Sequence, residues 1–90
     1  MSLVRRLPIV NEKGLHARAS AKFVEVVEAH DAMARVTRDG MTVTGDSIMG
    51  LLMLGAARGT EIEVETDGPQ AEALMAALAL LVANRFGEDY

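Results

Sequence analysis

Two residues near the start of the chain have types and spacing that could do chemistry. Residues 11–21 read N-E-K-G-L-H-A-R-A-S-A, so an imidazole, His16, stands two positions before a guanidinium, Arg18. A strand-like run ends at about residue 10, Gly14 interrupts the pattern, and a helical pattern begins at Ala17. His16 is therefore expected just ahead of a helix and Arg18 inside its first turn. The opening N–H groups of a helix lack carbonyl partners within it, and the aligned peptide dipoles make that end partly positive. An anion placed there meets converging donors. A nucleophilic imidazole beside such a place can accept a phosphoryl group. The backbone N–H groups of Ala17 and Arg18 can hold the phosphate oxygens, and the Arg18 side chain can add charge-assisted hydrogen bonds. The plainer reading of the same residues is a polar helix cap, so the rest of the chain must decide between them.

The elements that would position these residues follow from hydrophobic periodicity. Residues 3–10 alternate, with Leu3, Leu7 and Ile9 on one face, as in a strand with one side buried. Pro8 points the other way and cannot donate to a ladder, which places this strand at a sheet edge. Residues 17–29 read as a helix whose buried face is Ser20, Phe23, Val24 and Val27, ended by His30 and Asp31. Residues 33–38 and 41–44 flank Asp39-Gly40, a hairpin signal because both turn positions need positive φ. Residues 45–55, G-D-S-I-M-G-L-L-M-L-G, form a short helix capped by Asp46 or Ser47 and ended by Gly55. If Leu51 and Leu54 enter the core, then Met49, Leu52 and Met53 are left outside with Ile48 at the rim, an apolar ledge suited to docking. Residues 60–67 alternate, with Ile62 and Val64 inward and Glu61, Glu63 and Glu65 outward on a solvated face. Gly68-Pro69 is expected to open the last helix, with Pro at its first position. Ala71, Leu74, Met75, Leu78, Leu81 and Val82 would form its buried stripe, and residues 87–90 read as a polar tail.

Composition narrows the function. Ninety residues, with no linker or repeat, predict one domain over residues 1–90. The absence of cysteine excludes a disulfide framework and thiolate metal sites, and fits a reducing cytoplasm. A net charge of −4 and only three aromatic residues, Phe23, Phe86 and Tyr90, argue against a nucleic-acid partner. The apolar run at residues 73–83 falls short of the roughly 20 residues that span a bilayer, so no membrane insertion is expected. The two histidines, His16 and His30, are not spaced as a metal site, and neither metal nor cofactor is expected.

With G-L-H-A-R at residues 14–18 and S-I-M-G-L-L-M-L-G at residues 47–55, in the order β-α-β-β-α-β-α, the chain resembles HPr. HPr is the histidine-containing phosphocarrier family of the bacterial phosphotransferase system. The resemblance implies an α+β, open-faced β-sandwich with a four-stranded antiparallel sheet in order 1-4-2-3 and three helices on one face. It implies that Nδ1 of His16 takes a phosphoryl group from enzyme I, itself charged by phosphoenolpyruvate. The group then passes to a histidine of an enzyme IIA domain, with Arg18 as the motif arginine. Ser47 matches the serine that HPr kinase/phosphorylase modifies in many lineages, which makes that enzyme a further implied partner. Ile48, Met49, Leu52 and Met53 would meet the partners of a monomeric, cytoplasmic carrier that is not itself an enzyme.

Three positions depart from the family pattern. Ala19 replaces the usual proline after the arginine, and Glu25 and Glu28 occupy a helix that is more basic in sugar-transport members. The wording A-R-A-S-A-K-F is similar to alphaproteobacterial forms tied to the nitrogen-related branch. A generic small ligand- or RNA-binding domain would need a basic or aromatic sheet face, which Glu61, Glu63 and Glu65 oppose. Two other readings compete. In one, a regulatory interaction protein works through Ser47 and the apolar ledge while His16 is idle. In the other, a hydrolase uses Ser20, one turn from His16, but no acid is expected to orient the imidazole.

Overall fold

The computed structural model describes residues 2–90. Its elements run β1 (Ser2–Pro8), α1 (Ala17–Glu28), β2 (Met33–Arg38), β3 (Met41–Thr44), α2 (Ile48–Met53), β4 (Glu61–Asp67) and α3 (Ala71–Ala83), followed by a 3₁₀ turn at Arg85–Gly87. The strands form one antiparallel sheet in the order β1-β4-β2-β3. Pro8 thus lies on an edge strand, where its missing N–H leaves no gap in a ladder. Asp39 and Gly40 both have positive φ, 52° and 78°, in the β2–β3 turn.

Strand alternation separates the two faces of the sheet. Leu7, Ala34, Val36, Ile62 and Val64 are buried in the core with Phe23 of α1, Leu51 of α2 and Leu74 and Leu78 of α3. The opposite face carries the charges. Arg35 pairs with Glu65 at 3.0 Å and Arg6 with Glu63 at 3.9 Å, so part of the acidic stripe of β4 is matched across strands. Such exposed pairs contribute little to stability, about 0–1 kcal/mol each.

The last helix starts later than its Pro suggests. Gln70 N–H donates to Asp31 O at 3.0 Å, and Asp31 N–H donates to Gln70 Oε1 at 2.6 Å. These bonds tie the segment to the α1–β2 loop, so Pro69 sits in a turn and Ala71 is the first residue of α3. His30 closes α1 as expected of a helix-end residue, its Nδ1 lying 2.7 Å from Val26 O. Among the described residues no helix is long and apolar enough to cross a membrane.

Candidate functional site

The loop before α1 is shaped by one glycine. Gly14 has φ of 68°, and a Cβ there would lie 2.5 Å from Ala56 O and 3.0 Å from Ala57 Cα. Only a residue without a side chain allows the two backbones to approach this closely. Leu15 N–H then donates to Ala56 O at 2.9 Å, which fastens the loop to the segment that follows α2. His16 consequently becomes the N-cap of α1, and its carbonyl accepts the first helical bond, from Ser20 N–H at 2.8 Å.

The two nitrogens of the His16 ring have different surroundings. Nδ1 faces the helix, where Arg18 N–H approaches it at 3.3 Å. Nε2 is paired with Oε2 of Glu88. A carboxylate accepts and an N–H donates, so the neutral ring carries its proton on Nε2 and its lone pair on Nδ1, directed at the mouth of α1. The ring is 27% exposed, neither turned into the core nor free in solvent. Ala17 and Arg18 are exposed in the first turn. Among the described residues the Arg18 guanidinium has no hydrogen-bond or ionic partner, so it is free to meet an anion.

Glu88 overturns two expectations. Residues 87–90 are not an idle polar tail, and an acid does orient the imidazole. Phe86 is fully buried, Lys22 Nζ donates to Phe86 O at 2.7 Å, and Glu12 N–H donates to the Tyr90 backbone oxygen at 3.1 Å. Between these anchors Glu88 Oε1 accepts from Asn11 Nδ2 at 2.9 Å. Asn11 is itself fully buried, and the same amide nitrogen donates to Gly14 O at 2.8 Å. Asn11 Oδ1 is left buried without a partner among the described residues. Flipping the amide would aim that oxygen at two acceptors, so the orphan is the lesser cost. Burial alone would raise the Glu88 carboxyl. The hydrogen bonds from Asn11 and His16, with the charges of His16 and Lys13, outweigh it and hold the group below the usual carboxylate range.

The second motif lies next to the first, because α1 and α2 pack together. Ser47, not Asp46, caps α2, its Oγ accepting from Gly50 N–H at 3.0 Å. Leu51 and Leu54 enter the core, while Met49 and Met53 are 70% and 65% exposed and Ile48 is 40% exposed. Leu52 is half-buried, so the ledge is narrower than the sequence indicates. Arg38 Nη1 donates to Leu54 O at 2.9 Å and steadies the C-terminal end of the ledge.

An open-faced sandwich that holds one imidazole at a helix mouth, beside an exposed apolar ledge, belongs to the class of histidine phosphocarriers. The family model described as the PTS HPr component phosphorylation site matches residues 3–84, and the chain belongs to that family. The phosphocarrier protein HPr of Cupriavidus necator is 45% identical over 86 residues, covering 96% of this chain and 97% of its own. The phosphocarrier protein NPr of Escherichia coli is 38% identical over 90 residues, covering 99% and 100%. Among solved structures, HPr of Thermoanaerobacter tengcongensis superposes with a TM-score of 0.92 at 32% identity, covering 98% of this chain and 99% of its own. The protein is thus a phosphocarrier of the phosphotransferase system, of the HPr/NPr kind.

Proposed function

We propose that His16 is the phosphoryl acceptor of this carrier and that its Nδ1 takes the group from a phosphohistidine of enzyme I. The lone pair on Nδ1 attacks phosphorus, the P–N bond to the donor breaks, and its electron pair returns to the departing imidazole. The His16 ring keeps its Nε2 proton and becomes a cation. Transfer to a histidine of an enzyme IIA domain repeats the exchange in the other direction. The observation that carries this reading is the direction of Nδ1, which faces the backbone N–H of Arg18 at the mouth of α1. The N–H groups of Ala17 and Arg18 and the unengaged guanidinium of Arg18 would neutralise the phosphate oxygens. Such transfer is mostly a matter of positioning and charge, so the partner enzymes supply most of the catalysis and the carrier acts as a monomeric single domain in the cytoplasm.

The ledge of Ile48, Met49, Leu52 and Met53 serves as the docking surface for those partners, and Ser47 at its edge is a place for regulatory phosphorylation by an HPr kinase/phosphorylase. Incubation with phosphoenolpyruvate and enzyme I tests the carrier reading. Acid-labile phosphate is expected on the wild-type chain and not on His16→Ala. Equal labelling of both would overturn it. A protein that works only through Ser47 and the ledge would take no acid-labile phosphate at all.

A further inference from the structure

The segment around Glu88 is built with more care than a surface tail needs. Arg85, Phe86 and Gly87 have φ of 55°, 53° and 80°, three consecutive residues in the left-handed region. For Arg and Phe this conformation is unfavourable and persists only where the surroundings over-determine it. Here the surroundings do so: the buried Phe86 ring, the Lys22 bond to its carbonyl, and the return bond from Glu88 N–H to Arg85 O at 2.9 Å. The turn aims the Glu88 side chain at the far side of the His16 ring, where Asn11 fixes the second carboxylate oxygen.

We infer that Glu88 is a positioning residue of the phosphoryl carrier: it anchors the Nε2 proton, which keeps Nδ1 as the nucleophile and holds the phosphorylated ring in its cationic, transferable form. The inference rests on His16 being the acceptor. Attack by Nδ1 leaves a positive ring whose Nε2–H already points at a carboxylate, so the charge created by acceptance is matched in place. In the reverse direction the protonated ring departs as neutral imidazole, whereas a ring that has lost its Nε2 proton is a poor leaving group. Glu88 therefore extends to higher pH the range in which the group can be handed on.

Other charged groups surround the pair. Glu12 and Lys13 of the loop, Arg18 and Lys22 of α1, and Asp89 and Tyr90 of the last residues line, with Glu88, a cleft of about 310 Å³. Lys22 is engaged by Phe86 O, and among the described residues Glu88 alone contacts Nε2.

The test uses the full chain, wild type, Glu88→Gln and Glu88→Ala, each phosphorylated by enzyme I and phosphoenolpyruvate. The rate of donation to enzyme IIA is then followed against pH. An opposite charge removed at contact distance moves a titration by about one unit or more. The pH above which donation falls is thus expected to move down by about one unit in Glu88→Gln. Donation at about pH 8 then drops severalfold, while at about pH 6 it stays close to wild type. A slowly exchanging Nε2 proton is expected in the NMR spectrum of wild type and not in that of Glu88→Ala. Superposable pH profiles for the three proteins would overturn the inference and leave the carrier reading intact. Failure of the wild type to take phosphate would overturn the carrier reading and this inference with it. Loss of circular-dichroism signal in both variants would make Glu88 a structural residue and overturn the positioning role.

Discussion

A carboxyl group that gives up its proton more readily in the folded chain than in the unfolded one ties stability to pH. Glu88 is such a group, held below the usual range despite its burial by the hydrogen bonds of Asn11 and His16 and the charges of His16 and Lys13. Its stabilising contribution is present above the ordinary glutamate value, ~4.3, and is lost as pH falls through the lowered value of the folded state. The melting temperature of wild type should therefore exceed that of Glu88→Gln above about pH 5, and the gap should close on further acidification. A gap that persists undiminished to about pH 2 would contradict the pairing. At this scale the sequence is only half legible. His16 and Arg18 are visible because a glycine and a helix start stand beside them. Glu88 is not, because its contact with His16 spans 72 residues and no local pattern marks it.

The short helix α2 carries both the proposed docking surface and the proposed control point. Its one buried position, Leu51, together with Leu54 just beyond its end, fixes it to the core and leaves the methionines outward. Ser47 caps it through Gly50 N–H. An added negative charge at a helix start is compatible with the helix, yet it lies at the margin of an apolar contact. Ser47→Asp is expected to weaken enzyme I binding about tenfold or more while shifting the melting temperature by only a few degrees. Titration calorimetry beside a thermal melt separates the two effects, and unchanged affinity would remove the regulatory reading of Ser47. Elements themselves were readable to within a few residues, since alternation in β1 and β4 and the three-and-four spacing of α1 are strong local signals. The start of α3 was not. Pro69 suits a first helical turn, but Gln70 is drawn to Asp31, and that bond joins residues 39 apart.

Across the whole molecule, one core reaches from the sheet to the residues beside the His16 ring. Phe86 is part of that core, so the strap carrying Glu88 is fastened by the same apolar packing that holds the sheet to its helices. Truncating a buried Phe to Ala costs about 3–5 kcal/mol, against a total stability of about 5–15 kcal/mol for a small domain. Phe86→Ala should lower the melting temperature by more than about 12 °C, since each kcal/mol is worth about 4–8 °C at this size. A loss of only a few degrees would mean that the strap merely lies on the surface. The fold class was legible because every strand and helix faces the core as its own periodicity requires. The closure of residues 85–90 over the site was not, because Arg85 and Phe86 adopt left-handed conformations that nothing in their side chains favours.

The carrier role of His16 turns on which atom holds the phosphoryl group. Phosphorus-to-nitrogen coupling in the NMR spectrum of the freshly phosphorylated, nitrogen-15-labelled chain identifies it directly. Coupling to Nδ1 of His16, with the Nε2 proton retained, is the expected result. Coupling to Nε2, or phosphate on any other residue, would contradict it.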